Sequence, residues 1–247
     1  MIIDMHTHLW ETDAEKCKTQ IRNVCSQFNV SKVMVSSLNN LYPDEDEIDR
    51  LNRLTYGFMK EEPGLVRGYC YLNPRHGNSI PYLRRAIEDW GMSGIKLWVA
   101  TFCDDPLVNP IIEQAIEYKI PVLIHTFHKA VGQLEFESLG QNAANLAHRY
   151  PESKLIMAHI GANCLRELRP VIDCPNVSVD FSGSISRCDD VEYAKKLLGS
   201  HRIVFGSDMP SGLSFLVSYG QILEAELTDE ERDDILYKNT LKLFERS

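Results

Sequence analysis

The chain opens MIIDMHTHLW (residues 1–10), an apolar run broken by Asp4 that leads into His6 and His8, one residue apart. In a strand, residues two apart point the same way, so both imidazoles can share a face just past a strand at 2–5. Similar segments recur at 30–38 (VSKVMVSSL), 65–72 (LVRGYCYL), 93–99 (SGIKLWV), 120–126 (IPVLIHT), 154–160 (KLIMAHI), 176–182 (NVSVDFS) and 202–208 (RIVFGSD). Helix-like stretches separate them, near 13–28, 45–60, 80–90, 109–118, 140–150, 164–171 and 189–198. The closing stretch starts with Thr228 as N-cap and Glu231 three residues later, a capping box. Eight strands alternating with helices in 247 residues predict an α/β chain, a single-domain, slightly distorted (β/α)8 TIM barrel spanning 1–247. An open doubly wound sheet also alternates, but no GxGxxG follows the first strand and no GxxxxGK[ST] occurs.

Composition narrows the class. Lys and Arg number 26 against 35 Asp and Glu, a formal charge of -9. That balance argues against nucleic acid or an anionic membrane surface as partner, while a local cationic pocket can still take an anionic small molecule. No basic region with an apolar core and cleavage site opens the chain, and no apolar stretch is long enough to span a bilayer. Seven scattered cysteines form no CxxC pair, so buried free thiols and a cytoplasmic location are expected, with Cys103 in a loop near the site. The stretch 207–221 is expected to form a loop and short helix over the mouth of the barrel.

Polar residues collect at the predicted strand ends: His125 on the fifth, His159 on the sixth, Asp208 on the eighth, with Lys96 inside the fourth. In a barrel the C-terminal strand ends carry the chemistry, so closure would gather these distant residues at one rim. A lone histidine there is more often hydrogen-bonded structure than a ligand. Four such residues from three separate strands, meeting at one end, point instead to a metal site of His6, His8, His125 and Asp208. Three imidazoles and a carboxylate suit one divalent ion, Zn2+ first, with a position left for water. Asp4 is a candidate acceptor for a ligand's other ring nitrogen on the barrel interior, with a structural role as the equal alternative.

The motifs IIDMHTHL (2–9), GIKLW (94–98), CDDP (103–106), IPVLIHT (120–126), KLIMAHIGA (154–162), NVSVDFSG (176–183), RIVFGSDMP (202–210) and NTLKLF (239–244) resemble the amidohydrolase superfamily. Within it they resemble the amidohydrolase 2 family, which includes aminocarboxymuconate-semialdehyde decarboxylase. The resemblance implies that His6, His8 and His125 bind the metal. It implies that Asp208 binds it and exchanges a proton with its water, and that His159 is an acid-base or polarising residue. Lys96 matches either a carboxylated lysine bridging a second metal, a contact to substrate carboxylate, or an interior ion pair. Trp98 stands where many relatives carry a histidine, and the chain is shorter than the well-known decarboxylases.

Substrate contacts are expected from Lys96, Arg75, His128 and Trp98. For Arg75 and His128 a solvent-facing loop position is the competing reading; Trp98, Phe102, Phe127 and Phe215 are in reach of the mouth, but plain packing is the favoured role for each. Asp180, ending the seventh strand, is expected to hydrogen-bond a ligand or cap its loop. The acidic run 44–47 is expected to face water. The expected activity is metal-assisted hydrolysis of a small, anionic lactone, ester or amide. Non-oxidative decarboxylation of a small unsaturated or aromatic acid is the alternative, and a non-catalytic binding barrel a third. A small-molecule substrate is the expected partner, with a homodimer compatible with apolar outer-helix positions.

Overall fold

The computed structural model describes residues 1–183, 187, 189–210 and 214–245. Among them, seven parallel strands lie side by side in chain order: β1 (Ile2–Trp10), β2 (Val30–Leu38), β3 (Val66–Leu72), β4 (Gly94–Leu97), β5 (Pro121–Ile124), β6 (Lys154–Met157) and β7 (Val177–Val179). The helices between them are α1 (Ala14–Phe28), α2 (Glu45–Glu61), α3 (Ser79–Glu88), α4 (Asn109–Tyr118), α5 (Gly140–Arg149), α6 (Cys164–Glu167) and α7 (Asp190–Leu198). After the last crossing come α8 (Ser214–Glu224), α9 (Asp229–Asp233), a π-helical turn (Asp234–Lys238) and α10 (Asn239–Phe244). The architecture is a slightly distorted (β/α) TIM barrel. No described helix is long and apolar enough to cross a membrane.

Alternation along the strands builds two apolar layers. Met5, Met34, Tyr69, Leu123, Ile156 and Val204 fill the barrel interior. Their neighbours in sequence, such as Val33, Val35, Cys70, Val122, Ile124, Leu155 and Phe205, pack outward against the helices. Burying each such side chain contributes about 1.5–3 kcal/mol. The described cysteines are buried free thiols. Cys103 is sealed beneath the chain following β5, its N–H donating to Ser138 Oγ at 2.9 Å. Cys188 lies outside the described residues.

The eighth strand expected at 202–208 is an extended segment joined by single bridges rather than a ladder. Val179 bridges Ile203 and Thr7 bridges Met209. Closure runs through Val204 N–H to Val179 O, Met5 N–H to Phe205 O, Asp208 N–H to His6 O and His8 N–H to Met209 O. The ladder is interrupted because the Asp4 carboxylate takes Ser207 N–H (3.1 Å) and Ser207 Oγ–H (2.6 Å). Asp4 is therefore a closure residue and accepts from no imidazole; its third donor is the His6 backbone N–H at 3.1 Å. Burial outweighs these hydrogen bonds and pushes its carboxyl up to about 7.

Other expectations shift. The stretch 207–221 falls partly outside the described residues, and α8 packs on the barrel's flank: Phe215 lies 5.0 Å from Phe28 of α1 and 5.6 Å from Phe205. Phe215 is thus a packing residue, the role its sequence reading favours. In the acidic run, Asp44 caps α2 by accepting Glu47 N–H, and Glu47 turns inward to accept from Asn40. At the far end, Thr228 and Glu231 form the capping box reciprocally.

Ser207→Ala removes a buried donor to Asp4 and the acceptor for Met209 N–H. It is expected to cost about 1–3 kcal/mol, read from urea unfolding; an unchanged midpoint would show that closure does not depend on this pair.

Candidate metal centre

The histidine pair faces inward because β1 is irregular. Asp4 pairs with Val33 and Thr7 with Val35, so β1 carries one extra residue against β2. Such a bulge re-aims side chains. Met5 points into the barrel core, and His6 and His8 beyond the bulge point inward as well, while Asp4 is turned toward the closing segment. β1 continues through both histidines to Trp10, past the end expected at residue 5. Asp208 meets them from the closing segment, in a left-handed backbone conformation with φ 61°. Gly206 permits that approach, since a Cβ there would sit 3.0 Å from atoms of both Asp180 and His6.

The hydrogen bonds assign the protons. His6 Nδ1 faces Asp180 Oδ2 at 3.0 Å, His8 Nδ1 faces the Ser36 carbonyl at 3.2 Å, and His159 Nδ1 faces the Ser182 carbonyl at 3.0 Å. Carboxylate and carbonyl oxygens only accept, so each Nδ1 carries the proton and each Nε2 is bare. His125 is reversed: its Nε2 donates to Glu137 Oε1 at 2.9 Å, leaving Nδ1 bare. The bare nitrogens converge, His6 Nε2 on His8 Nε2 at 3.0 Å and His125 Nδ1 on His159 Nε2 at 3.2 Å. Lone pairs facing each other at such distances suit a shared cation.

Carboxylates complete the set. Asp208 Oδ1 lies 3.1 Å from His8 Nε2 and 3.5 Å from His6 Nε2. Donor atoms of His6, His8 and Asp208 lie within 4.8 Å of one another, as do those of His6, His159 and Asp180. His125 belongs to neither group and adjoins the centre through His159. Burial raises the carboxyls of Asp208 and Asp180, but the histidines outweigh it and hold both well below the usual carboxylate range. Burial, then Lys96, pushes His6 down to about 3, and burial likewise takes His125 to about 3. These imidazoles are therefore neutral, the form in which a histidine can bind a metal. Lys96 Nζ sits 3.3 Å from His6 Nε2, and burial lowers its ammonium to about 8.

The remaining expected site residues divide. Trp98 joins an aromatic wall, 6.1 Å from Trp10, whose own ring lies 6.1 Å from His8. His128 is drawn off by Glu167, with Nδ1 3.1 Å from Oε1. Arg75 donates from Nε to Ala100 O at 2.7 Å and lays its guanidinium 4.5 Å from the Phe136 ring centre. Neither enters the donor cluster. Asp180 fulfils both expected roles, gripping His6 and accepting the His159 and Ser182 N–H groups. Ser36, Ser182 and Glu137 carried no sequence signal: two are serines among many, and Glu137 lies in an irregular loop twelve residues beyond His125.

Stability should report these neutral imidazoles. Between about 3 and the ordinary 6.5, the unfolded chain binds protons that folded His6 and His125 refuse. Stability therefore rises with pH across that window. Unfolding free energy of the metal-free protein should fall by about 1.4 kcal/mol per pH unit for each imidazole as pH drops from 6.5. Guanidinium titrations at several pH values measure this. His125→Gln should flatten the slope by about one proton, and an unflattened slope contradicts the assignment.

The Amidohydrolase family model matches residues 3–246. No curated protein matches at the level of sequence. Among solved structures, 2,6-dihydroxybenzoate decarboxylase from Rhizobium is 15% identical, with TM-score 0.76 and 98% of each chain covered. Dihydroxybenzoic acid decarboxylase from Polaromonas sp. JS666, with bound manganese and the inhibitor 2-nitroresorcinol, is 16% identical, with TM-score 0.75 and 98% and 96% coverage of this chain and that one. 4-Oxalomesaconate hydratase from Rhodopseudomonas palustris is 15% identical, with TM-score 0.72 and 99% and 95% coverage. At these identities the structures share the fold, and the family match over nearly the whole length carries the assignment: the chain belongs to the amidohydrolase family.

Proposed function

We propose that the chain is a metal-dependent hydrolase of a small anionic lactone, ester or amide. The observation that carries this reading is Asp208: a carboxylate held ionised, 22% exposed toward the mouth, and set against the bare nitrogens of His6 and His8. His6, His8, Asp208 and His125 through Nδ1 would hold one divalent ion, zinc in the first instance. Such an ion polarises a substrate oxygen and makes water acidic near neutral pH. Asp208 accepts the proton of the attacking water. His159, bare at Nε2, takes that proton on and delivers it to the leaving oxygen or nitrogen. Lys96, mostly protonated at neutral pH, faces the anionic group of the substrate. The Trp10–Trp98 wall beside His8 shields the reacting centre from bulk water.

Lys96 also supports a second reading, non-oxidative decarboxylation. A buried ammonium among the donor atoms can pair with a substrate carboxylate, and two of the structural relatives are decarboxylases of dihydroxybenzoates. Isotope analysis separates the two readings. Oxygen-18 from labelled water enters the product of hydrolysis, whereas decarboxylation releases carbon dioxide without it.

Asp208→Ala should strip bound zinc or manganese and lower the rate by about 10²–10⁴-fold, checked by metal analysis and turnover on a panel of lactones, esters, amides and dihydroxybenzoates. Full metal content with full rate in this variant would refute the centre. An active parent protein free of metal would refute it too.

A further inference from the structure

The chain between β5 and α5 is clasped around one carboxylate. Glu137, 2% exposed, accepts from His125 Nε2 at 2.9 Å, from Lys129 Nζ at 2.8 and 2.7 Å, and from Gln133 Nε2 at 2.9 Å. Leu134 N–H adds a longer contact at 3.3 Å. Gln133 also donates to Phe127 O and accepts Lys129 N–H. The ends of the loop are tied down separately, by Phe127 N–H to Ser138 O, His128 N–H to Gly161 O and Gly140 N–H to Glu167 Oε2. Glu137 thus arrives at the ring of His125 on a loop braced at both ends.

This carboxylate explains why His125 differs from the other three histidines. His6, His8 and His159 find their acceptors at Nδ1, and His125 finds its acceptor at Nε2. We propose that Glu137 is a positioning residue: held by the Lys129 clasp, it fixes the His125 tautomer and ring orientation that present a bare Nδ1 to the site. The inference rests on His125 being a metal ligand in the reading above. It does not depend on which reaction the centre performs. An acceptor on the far nitrogen of a ligand histidine orients the ring and raises its basicity, and losing one typically weakens metal binding about 10–100-fold.

The test compares Glu137→Gln, whose amide oxygen can still accept from Nε2–H, with Glu137→Leu, which cannot. Co2+ serves as the probe, followed by equilibrium dialysis and visible absorption on the full chain. Glu137→Leu should bind Co2+ about 10–100-fold more weakly with an altered spectrum, and Glu137→Gln should retain most of the affinity. Lys129→Met, which unclasps the carboxylate without removing it, should show a smaller loss and covers the case in which Glu137→Leu does not fold. Nitrogen-15 spectra of histidine-labelled, metal-free protein supply an independent readout. His125 should carry its proton on Nε2 in the parent and in Glu137→Gln.

A proton on Nδ1 in the parent overturns the proposal. So does a folded Glu137→Leu that binds Co2+ as tightly as the parent with the same spectrum. If the parent binds no Co2+, the metal reading fails, while the tautomer spectra still decide the role of Glu137.

Discussion

The carboxylate of Asp180 ties the mouth of the barrel together. It accepts the His6 ring from β1, the His159 N–H beyond β6, and both the N–H and hydroxyl of Ser182 beyond β7. A fully buried ionised carboxylate would be costly alone. Here the donors surround it, and the same contacts that satisfy its charge define where two imidazoles stand. Removing it would leave the Ser182 hydroxyl, 3.0 Å away, as the remaining partner of His6 Nδ1 and loosen the hold that keeps Nε2 against His8. The centre is thus built outward from a buried acceptor.

The backbone around this anchor is strained in a way that only such contacts sustain. His159, Ile160 and Ala162 have φ of 63°, 42° and 58°, and Asp208 has 61°. For residues with a Cβ, and above all for a β-branched one, such conformations cost about 1–3 kcal/mol each. The Asp180 side chain takes the N–H of His159, its backbone carbonyl takes that of Ile160, and the His6 carbonyl takes that of Asp208. The strain buys position for two of them: His159 and Asp208 end with their side chains beside His6. Closure of the barrel follows the same logic, since Asp4 gives up its place on the interior face to hold Ser207 and with it the segment that carries Asp208.

Much of this was legible in the residues. Repetition of apolar strands and helical stretches reveals a barrel because burial demands periodicity. His6, His8 and Asp208 were legible because polar residues at the ends of otherwise apolar strands need a reason. Other parts were hidden for physical causes. The bulge in β1 is a mismatch of register against β2 and has no residue signature. The pairing of His128 with Glu167, and of Arg75 with Ala100 and Phe136, depends on loops folding back in ways that local pattern does not encode. Phe215 reads the same whether it lines a mouth or a flank.

The sequence by itself determined the strand and helix rhythm, the capping box of Thr228 and Glu231, and the types of donor available to a cation, because these follow from local periodicity and side-chain chemistry. Tertiary structure alone decided which nitrogen each histidine presents. Imidazole has two equivalent chances to be a donor, and the choice is made by the oxygen that happens to lie behind it: Asp180 behind His6, Ser36 behind His8, Ser182 behind His159 and Glu137 behind His125. Those oxygens come from distant strands and loops, so their placement exists only once the barrel has closed.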